Sequence, residues 1–150
     1  MAKERPVYVY HDNGVLEVKR QPDLLYHGSI ATTDLRYIYF IVEDVRIKNK
    51  HKRRSIRRLT LDSYKKSPET YELEKVPLIT EIEQLRIFSL SSVSKGGEIL
   101  VVVGDHQTRK TEAGAMLFGV AAFYLDTKTG SLTKVDAEQA VSPKSDRAGG

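Results

Sequence analysis

The sequence of 150 residues contains no cysteine. This absence excludes disulfide bonds, thiolate zinc sites and cysteine nucleophiles, and it fits a reducing compartment. A long hydrophobic run is also missing. The longest nearly apolar stretch, residues 113–125, is shorter than the roughly 20 residues that a membrane helix needs, and two glycines interrupt it. The N-terminal segment has no apolar region of the signal-peptide type. We therefore expect a soluble, cytoplasmic protein.

Acidic residues are absent between Asp44 and Asp62, where cations are densest. Residues 46–58, here called the basic segment, hold eight of the 24 Lys and Arg of the chain. Without them, 16 cations face 20 Asp and Glu, so the net charge changes from +4 to −4. The positive charge is therefore local. Its carriers are Arg46, Lys48, Lys50, Lys52, Arg53, Arg54, Arg57 and Arg58.

Most of the chain has the alternation and residue types of β-strands. Two runs of β-favouring residues flank Asp12-Asn13-Gly14, which predicts a tight hairpin with Val7 and Val9 on one face and Tyr8 and Tyr10 on the other. Residues 35–42 and 98–105 are almost continuously apolar, which is typical of strands covered on both faces. The strand of residues 57–63 completes a long hairpin with the first of these, with the basic segment at or near its tip.

The C-terminal region predicts a second hairpin, in which Gly130 supplies the left-handed residue of a turn with a following bulge. The pattern is weaker from 64 to 88. Residues 67–76 are compatible with a short helix or a strand, of which we favour the strand, and residues 80–83 (TEIE) fit a helix-capping box.

We predict an all-β fold, or β with one or two short helices. Its antiparallel hairpins or meanders would form a sandwich, a barrel or a partial propeller. Residues 1–141 would make one domain, and residues 142–150 a disordered tail.

Two stretches of the chain resemble each other at an offset of about 60 residues. Each has a buried strand ending in Asp44 or Asp105, a polar loop, and a strand ending in Leu-Asp at Asp62 or Asp126. The pattern resembles blades of TolB-like β-propellers, with a DGRYIYF-type strand before an LDxxTG strand. The resemblance implies a chain of at most about three blades that is part of a larger protein or closes a ring by oligomerising. Alternatively, the two stretches are generic hairpins. The YLDTKTG hairpin also resembles small bacterial immunity proteins.

The basic segment has two interpretations. Such dense cations repel one another unless they extend into solvent or bind an anion, so the segment could contact nucleic acid, an acidic protein or a membrane surface. Alternatively, it is a solvated tip that keeps the sheet edge soluble. RNA-recognition and helix-turn-helix motifs are absent, so the nucleic-acid interpretation depends on charge alone.

No motif indicates catalysis, a cofactor or a metal. The four histidines, His11, His27, His51 and His106, are scattered. His106 with Ser91 or Ser92 lacks a nucleophile elbow. The polar stretch of residues 104–114 lacks phosphate-loop spacing and is expected to be a loop. Asp44 and Asp105 would form a minimal acid–base or calcium pair only if the fold brought them together.

The sequence therefore favours a non-enzymatic binding module that contacts an anionic partner through the basic segment, presented as a flexible tip on two packed strands. The alternative is a structural or protein-interaction subunit, either an oligomeric β assembly or an immunity-like inhibitor. A small enzyme is the third hypothesis.

Overall fold

The protein is described here from a computed structural model, in which residues 5–78 and 85–135 are described. One short helix, α1 (Leu61–Lys66), and a single 3₁₀ turn (Lys50–Lys52) accompany ten strands in that part of the chain. The strands are β1 (Val7–His11), β2 (Gly14–Val18), β3 (Leu24–Ala31), β4 (Tyr37–Asp44), β5 (Arg54–Thr60), β6 (Glu74–Lys75), β7 (Arg86–Val93), β8 (Ile99–Lys110), β9 (Met116–Asp126) and β10 (Leu132–Lys134).

The β1–β2 hairpin confirms the sequence prediction. Val7 and Val9 are buried, whereas Tyr8 and Tyr10 are exposed on the opposite face. The strands are joined by a turn between the paired residues His11 and Gly14. Of the turn residues, only Gly14 has a positive φ (+141°). The glycine of the Asn-Gly pair therefore supplies the backbone conformation that the turn requires.

Strands β3 to β6 form an antiparallel sheet in chain order, here called the central sheet. Its strand β4 is buried from Ile38 to Val42, as the apolar run predicted. Even-numbered β4 residues pack against the β1–β2 hairpin, and odd-numbered ones, such as Tyr39 and Ile41, pack against β7 to β9. Both faces of this sheet are thus covered, which explains the missing alternation in its sequence.

Strands β7 to β10 form a second antiparallel sheet in chain order, here called the outer sheet. The prediction that residues 98–105 are covered on both faces is wrong. Leu100 and Val102 are fully buried, but Val101 and Val103 on the other face are only half-buried. Residues 104–110 also extend β8 instead of forming a loop, and His106 continues the buried face begun by Leu100.

The molecule is a stack of three antiparallel layers: the hairpin, the central sheet and the outer sheet. The predicted all-β class with a short helix is confirmed, and none of the described sheets closes into a barrel. Two contacts align the central and outer sheets. The Tyr39 hydroxyl donates to the Gly97 carbonyl (2.6 Å), and Arg54 Nη1 donates to the Ile87 carbonyl (3.3 Å).

The region after β5 differs from the prediction. The strand ends at Thr60, and Leu61 begins α1 instead of continuing the alternation. Asp62 in the first turn and Lys65 and Lys66 in the last turn complement the helix dipole, which favours the helix here. Of the strand predicted at residues 67–76, only β6 forms, and the TEIE segment lies outside the described residues.

Candidate functional site

The structure divides the basic segment between a loop and a strand. Residues 45–53, here called the basic loop, connect β4 to β5, and Arg54, Arg57 and Arg58 lie within β5. The segment is therefore at a hairpin tip, as predicted, for its first five cations only. The other three are part of the central sheet.

Arg46 is paired with carboxylates. Its Nε and Nη2 atoms donate to the two oxygens of Asp44 at 3.0 and 2.9 Å, and Asp23 lies 4.0 Å away. The Arg46 side chain, aided by its backbone N–H, lowers the pKa of Asp44 from 3.8 to about 2. This bidentate ion pair lies at the end of β4. The charge of Arg46 therefore stabilises the start of the basic loop and is not free for a ligand.

Two arginines of β5 are also paired. Arg54 lies 3.9 Å from Glu43, which is directly opposite on β4, and Arg58 donates to Glu74 at 2.6 Å. The guanidinium of Arg58 also lies over the ring of Tyr37, 4.7 Å from its centroid. These acids are distant in sequence or lie before the basic segment, so a local charge count could not match them to their partners.

Hydrogen bonds organise the basic loop. The Arg53 carbonyl accepts from the Asp44 N–H (2.9 Å), and Arg53 Nε donates to the Ile47 carbonyl (2.6 Å). The Lys52 N–H donates to the Asn49 carbonyl (2.9 Å) and closes the 3₁₀ turn. The basic loop is thus a hydrogen-bonded loop, and its flexibility stays a prediction.

Three lysines are left to solvent. Lys48, Lys50 and Lys52 are exposed, and no carboxylate among residues 5–78 and 85–135 lies in ion-pair distance of them. The three lysines occupy every second position of the hydrogen-bonded loop, so their ammonium groups follow one another closely along the chain. Arg53 and Arg57 also lack such a carboxylate but are only partly exposed, so the three lysines are the exposed part of the unneutralised charge that was predicted for the whole segment.

A second basic tip lies at the same end of the stack. Arg54, the first residue of β5, contacts Ile87 near the start of β7, and that end of β7 pairs with β8 at Asp105. Strand β8 then continues beyond β7 to the exposed Arg109 and Lys110. Sequence reasoning missed this pair because it expected a loop from 104 to 114. The apolar–polar alternation through His106 could have revealed the longer strand.

Three of the other candidate residues, His106, Asp44 and Asp105, have partners elsewhere in the described structure. His106 is buried with its ring edge-to-face with Phe123, at 5.4 Å between centroids. Asp44 forms an ion pair with Arg46, whereas Asp105 on the outer sheet faces Arg86 at 3.9 Å, so each carboxylate has its own arginine partner. Within the described part of the chain, no group of three His, Asp or Glu is arranged to hold a metal.

An open cleft of about 510 Å³ lies elsewhere, between β5, α1 and the segment before β6. Arg58, Ser63, Tyr71 and Glu74 are among its lining residues, and none of the lining residues belongs to the basic loop. Of its three charged lining residues, Arg58 and Glu74 already pair with each other, which leaves Glu72. The cleft therefore adds nothing to the lysine site.

No helix in residues 5–78 or 85–135 has the length and apolar character that crossing a bilayer requires.

No family model matches the chain, and no curated protein or solved structure matches it either.

Proposed function

We propose that this protein is a non-enzymatic binding module, located in the cytoplasm, whose basic loop contacts the phosphate backbone of a nucleic acid. One observation carries the proposal: Lys48, Lys50 and Lys52 are exposed on a hydrogen-bonded loop and have no carboxylate partner among the described residues. Cations held in this way gain by meeting phosphates, because condensed counterions are released from the nucleic acid.

The cations of the basic segment differ in how they are paired. Arg46, Arg54 and Arg58, whose planar guanidinium groups suit carboxylates, already pair with acids of the protein. The exposed cations of the basic loop that lack a carboxylate partner are lysine ammoniums, which act as point charges toward phosphate oxygens. Arg109 and Lys110 at the same end of the stack would extend the contact along a backbone.

The proposed contact is independent of base sequence. The basic loop contains no Phe, Tyr or Trp on which a base could stack. It also lies outside any recognition helix that could enter a groove. The expected readout is therefore a strong dependence on salt and a weak dependence on sequence.

The test compares two triple variants by fluorescence anisotropy with a labelled random-sequence DNA duplex at several salt concentrations. Lys48→Ala/Lys50→Ala/Lys52→Ala should weaken binding at least ~10-fold at low salt and reduce the salt slope by about 1 per lysine. The control, Lys95→Ala/Lys128→Ala/Lys134→Ala, removes three exposed lysines of the outer sheet and its turns, and it should bind like the wild type.

Two results would overturn the proposal. The first is equal weakening in both variants, which would show non-specific attraction. The second is binding to polyglutamate competitor in preference to DNA, which would indicate an acidic protein partner instead. Arginine variants are less informative, because Arg54→Glu or Arg58→Glu would break ion pairs inside the central sheet.

A second candidate function is a structural subunit that assembles through its sheets. The observation that favours it is independent of the basic loop: large apolar side chains are exposed on the two outermost faces of the stack.

A further inference from the structure

The edge of the central sheet carries two cations in directly opposite positions. Arg57 of β5 is the cross-strand neighbour of Lys75 of β6. The Val76 N–H donates to the Ile56 carbonyl (2.9 Å) beside this pair, which fixes the register of the two strands. Like charges directly opposite each other destabilise an antiparallel pair. The arrangement therefore has a cost in the free protein that a bound anion would remove.

Carboxylates of the described part of the chain do not neutralise this pair, since none lies in ion-pair distance of either cation. On the same face of the central sheet, the strand register places the carboxylate of Asp44 opposite Arg53. Arg46 binds both oxygens of that carboxylate and is the main cause of its lowered pKa, to which Arg57 contributes less. The face therefore keeps an excess of positive charge.

Two nearby glutamates belong to the surroundings of the open cleft. Glu74 precedes Lys75 in β6, so its side chain points to the opposite face, where Arg58 donates to it at 2.6 Å. Glu72 lines the cleft together with Arg58, whereas neither Arg57 nor Lys75 is among the lining residues. Both glutamates thus accompany Arg58 and leave the Arg57–Lys75 pair without a counter-charge.

The hydrogen-bonding groups at this edge suit a phosphate. Arg57 Nε donates to the Ser55 hydroxyl oxygen (3.3 Å), and its two Nη atoms have no acceptor in the described structure. Ser55 precedes Arg57 by two residues in β5 and therefore shares its face. A guanidinium fork, an ammonium group and a hydroxyl group on one face are donors of the kind that bind phosphate oxygens.

We propose that Arg57, Lys75 and Ser55 form a binding site for a phosphate monoester. Such a group carries a charge of about −1.5 to −2 at pH 7, which two adjacent cations balance. This inference rests on the proposed function for its source: the monoester is the terminal phosphate of a nucleic-acid strand whose backbone contacts the basic loop. Arg53, the last residue of that loop, precedes Arg57 by four residues, which is about 13 Å in an extended strand.

The first experiment compares labelled random-sequence duplexes with terminal phosphates or terminal hydroxyl groups, by fluorescence anisotropy at low salt. The wild type should bind the phosphorylated duplex at least ~10-fold more tightly, as expected for one charge-assisted hydrogen bond. Arg57→Gln/Lys75→Gln should lose this difference and remain folded, because removal of a like-charged pair does not weaken the sheet. The control Lys95→Gln/Lys128→Gln, which removes two exposed lysines from turns of the outer sheet, should keep the difference.

The triple lysine variant of the basic loop separates this inference from the proposed function. It should weaken the binding of both duplexes and keep the ratio between them, since the Arg57–Lys75 pair is intact. Equal affinity of the wild type for both duplexes, with weaker binding in the triple variant, would sustain the proposed function and exclude a strand end as the ligand. A preference that persists in Arg57→Gln/Lys75→Gln would exclude this pair as its cause.

Inorganic phosphate tests the site without a nucleic acid. At equal ionic strength, saturating phosphate in place of chloride should raise the thermal midpoint of the wild type by at least ~2 °C more than that of Arg57→Gln/Lys75→Gln. The two proteins are compared because phosphate also stabilises proteins through exclusion from their surfaces. A larger shift in the wild type without a preference between duplexes would assign the site to a free phosphorylated molecule. Equal shifts together with equal affinities would overturn the site.

Discussion

At the residue scale, pairing with carboxylates outside the basic segment separates its cations into two kinds. Arg46 and Arg58 are held by Asp44 and Glu74, so their charge is used in the fold. Lys48 and Lys50 have no such partner among the described residues and remain available to a ligand. Within one basic segment, the paired arginines thus stabilise the fold, and the unpaired lysines, in our proposal, bind a ligand.

The Asp44–Arg46 pair predicts a pH dependence of stability. Because the folded-state pKa of Asp44 is about 2, below the 3.8 of a free carboxyl, its contribution is complete above about pH 4 and is lost as pH falls toward 2. We expect the thermal midpoint of the wild type to fall over this range more steeply than that of Asp44→Asn. Parallel curves for the two proteins would contradict the assignment.

At the element scale, the β7–β8 turn joins the outer sheet to the central sheet. Gly97 has a φ of +78°, and its carbonyl accepts hydrogen bonds from the Tyr39 hydroxyl (2.6 Å) and the Thr127 hydroxyl (2.8 Å). A Cβ atom at this position would lie 2.9 Å from the Tyr39 oxygen. The turn is therefore constrained both by its backbone conformation and by a close contact between layers.

Two glycine substitutions separate these constraints. Gly114→Ala keeps a positive φ (+87°) but meets open space, so we expect a loss of about 1 kcal/mol from backbone strain alone. Gly97→Ala adds displacement of the buried Tyr39 hydroxyl and should cost about 1 kcal/mol more, the net value of a hydrogen bond. Urea unfolding measures both. Equal losses would show that the Tyr39 contact contributes nothing.

At the scale of the whole molecule, β4 connects two hydrophobic clusters. Its even-numbered residues belong to the cluster with the hairpin, and its odd-numbered residues to the cluster with the outer sheet. Because β4 contributes side chains to both clusters, loss of either cluster would expose β4 to water and so disrupt the other cluster. We therefore expect the three layers to unfold as one cooperative unit.

Matched leucines test this cooperativity. Leu59 lies in the hairpin-side cluster and Leu125 in the outer-sheet cluster, and both are fully buried. Leu59→Ala and Leu125→Ala should each cost about 2–5 kcal/mol, and each should move a single urea transition seen identically by circular dichroism and by tyrosine fluorescence. A variant with two separated transitions would show that the layers unfold independently.

The sequence predicted those features that depend on neighbours along the chain. The hairpin at Gly14, the doubly covered strand β4 and the left-handed Gly130 (φ +83°) follow from alternation and turn chemistry, and all three are observed. The errors occur where tertiary context decides. Helix α1 replaced a predicted strand end, and β8 has one open face although its residues are apolar throughout.

By itself, the sequence determined an all-β chain with one concentrated group of cations, because strand pattern and charge are local properties. Only the tertiary structure decided which cations are free, since Glu43 and Glu74 reach their arginines through strand pairing. It also decided that the apolar face of the outer sheet stays exposed. Periodicity records which residues share a face, whereas the cover on that face depends on where the next layer of the stack lies.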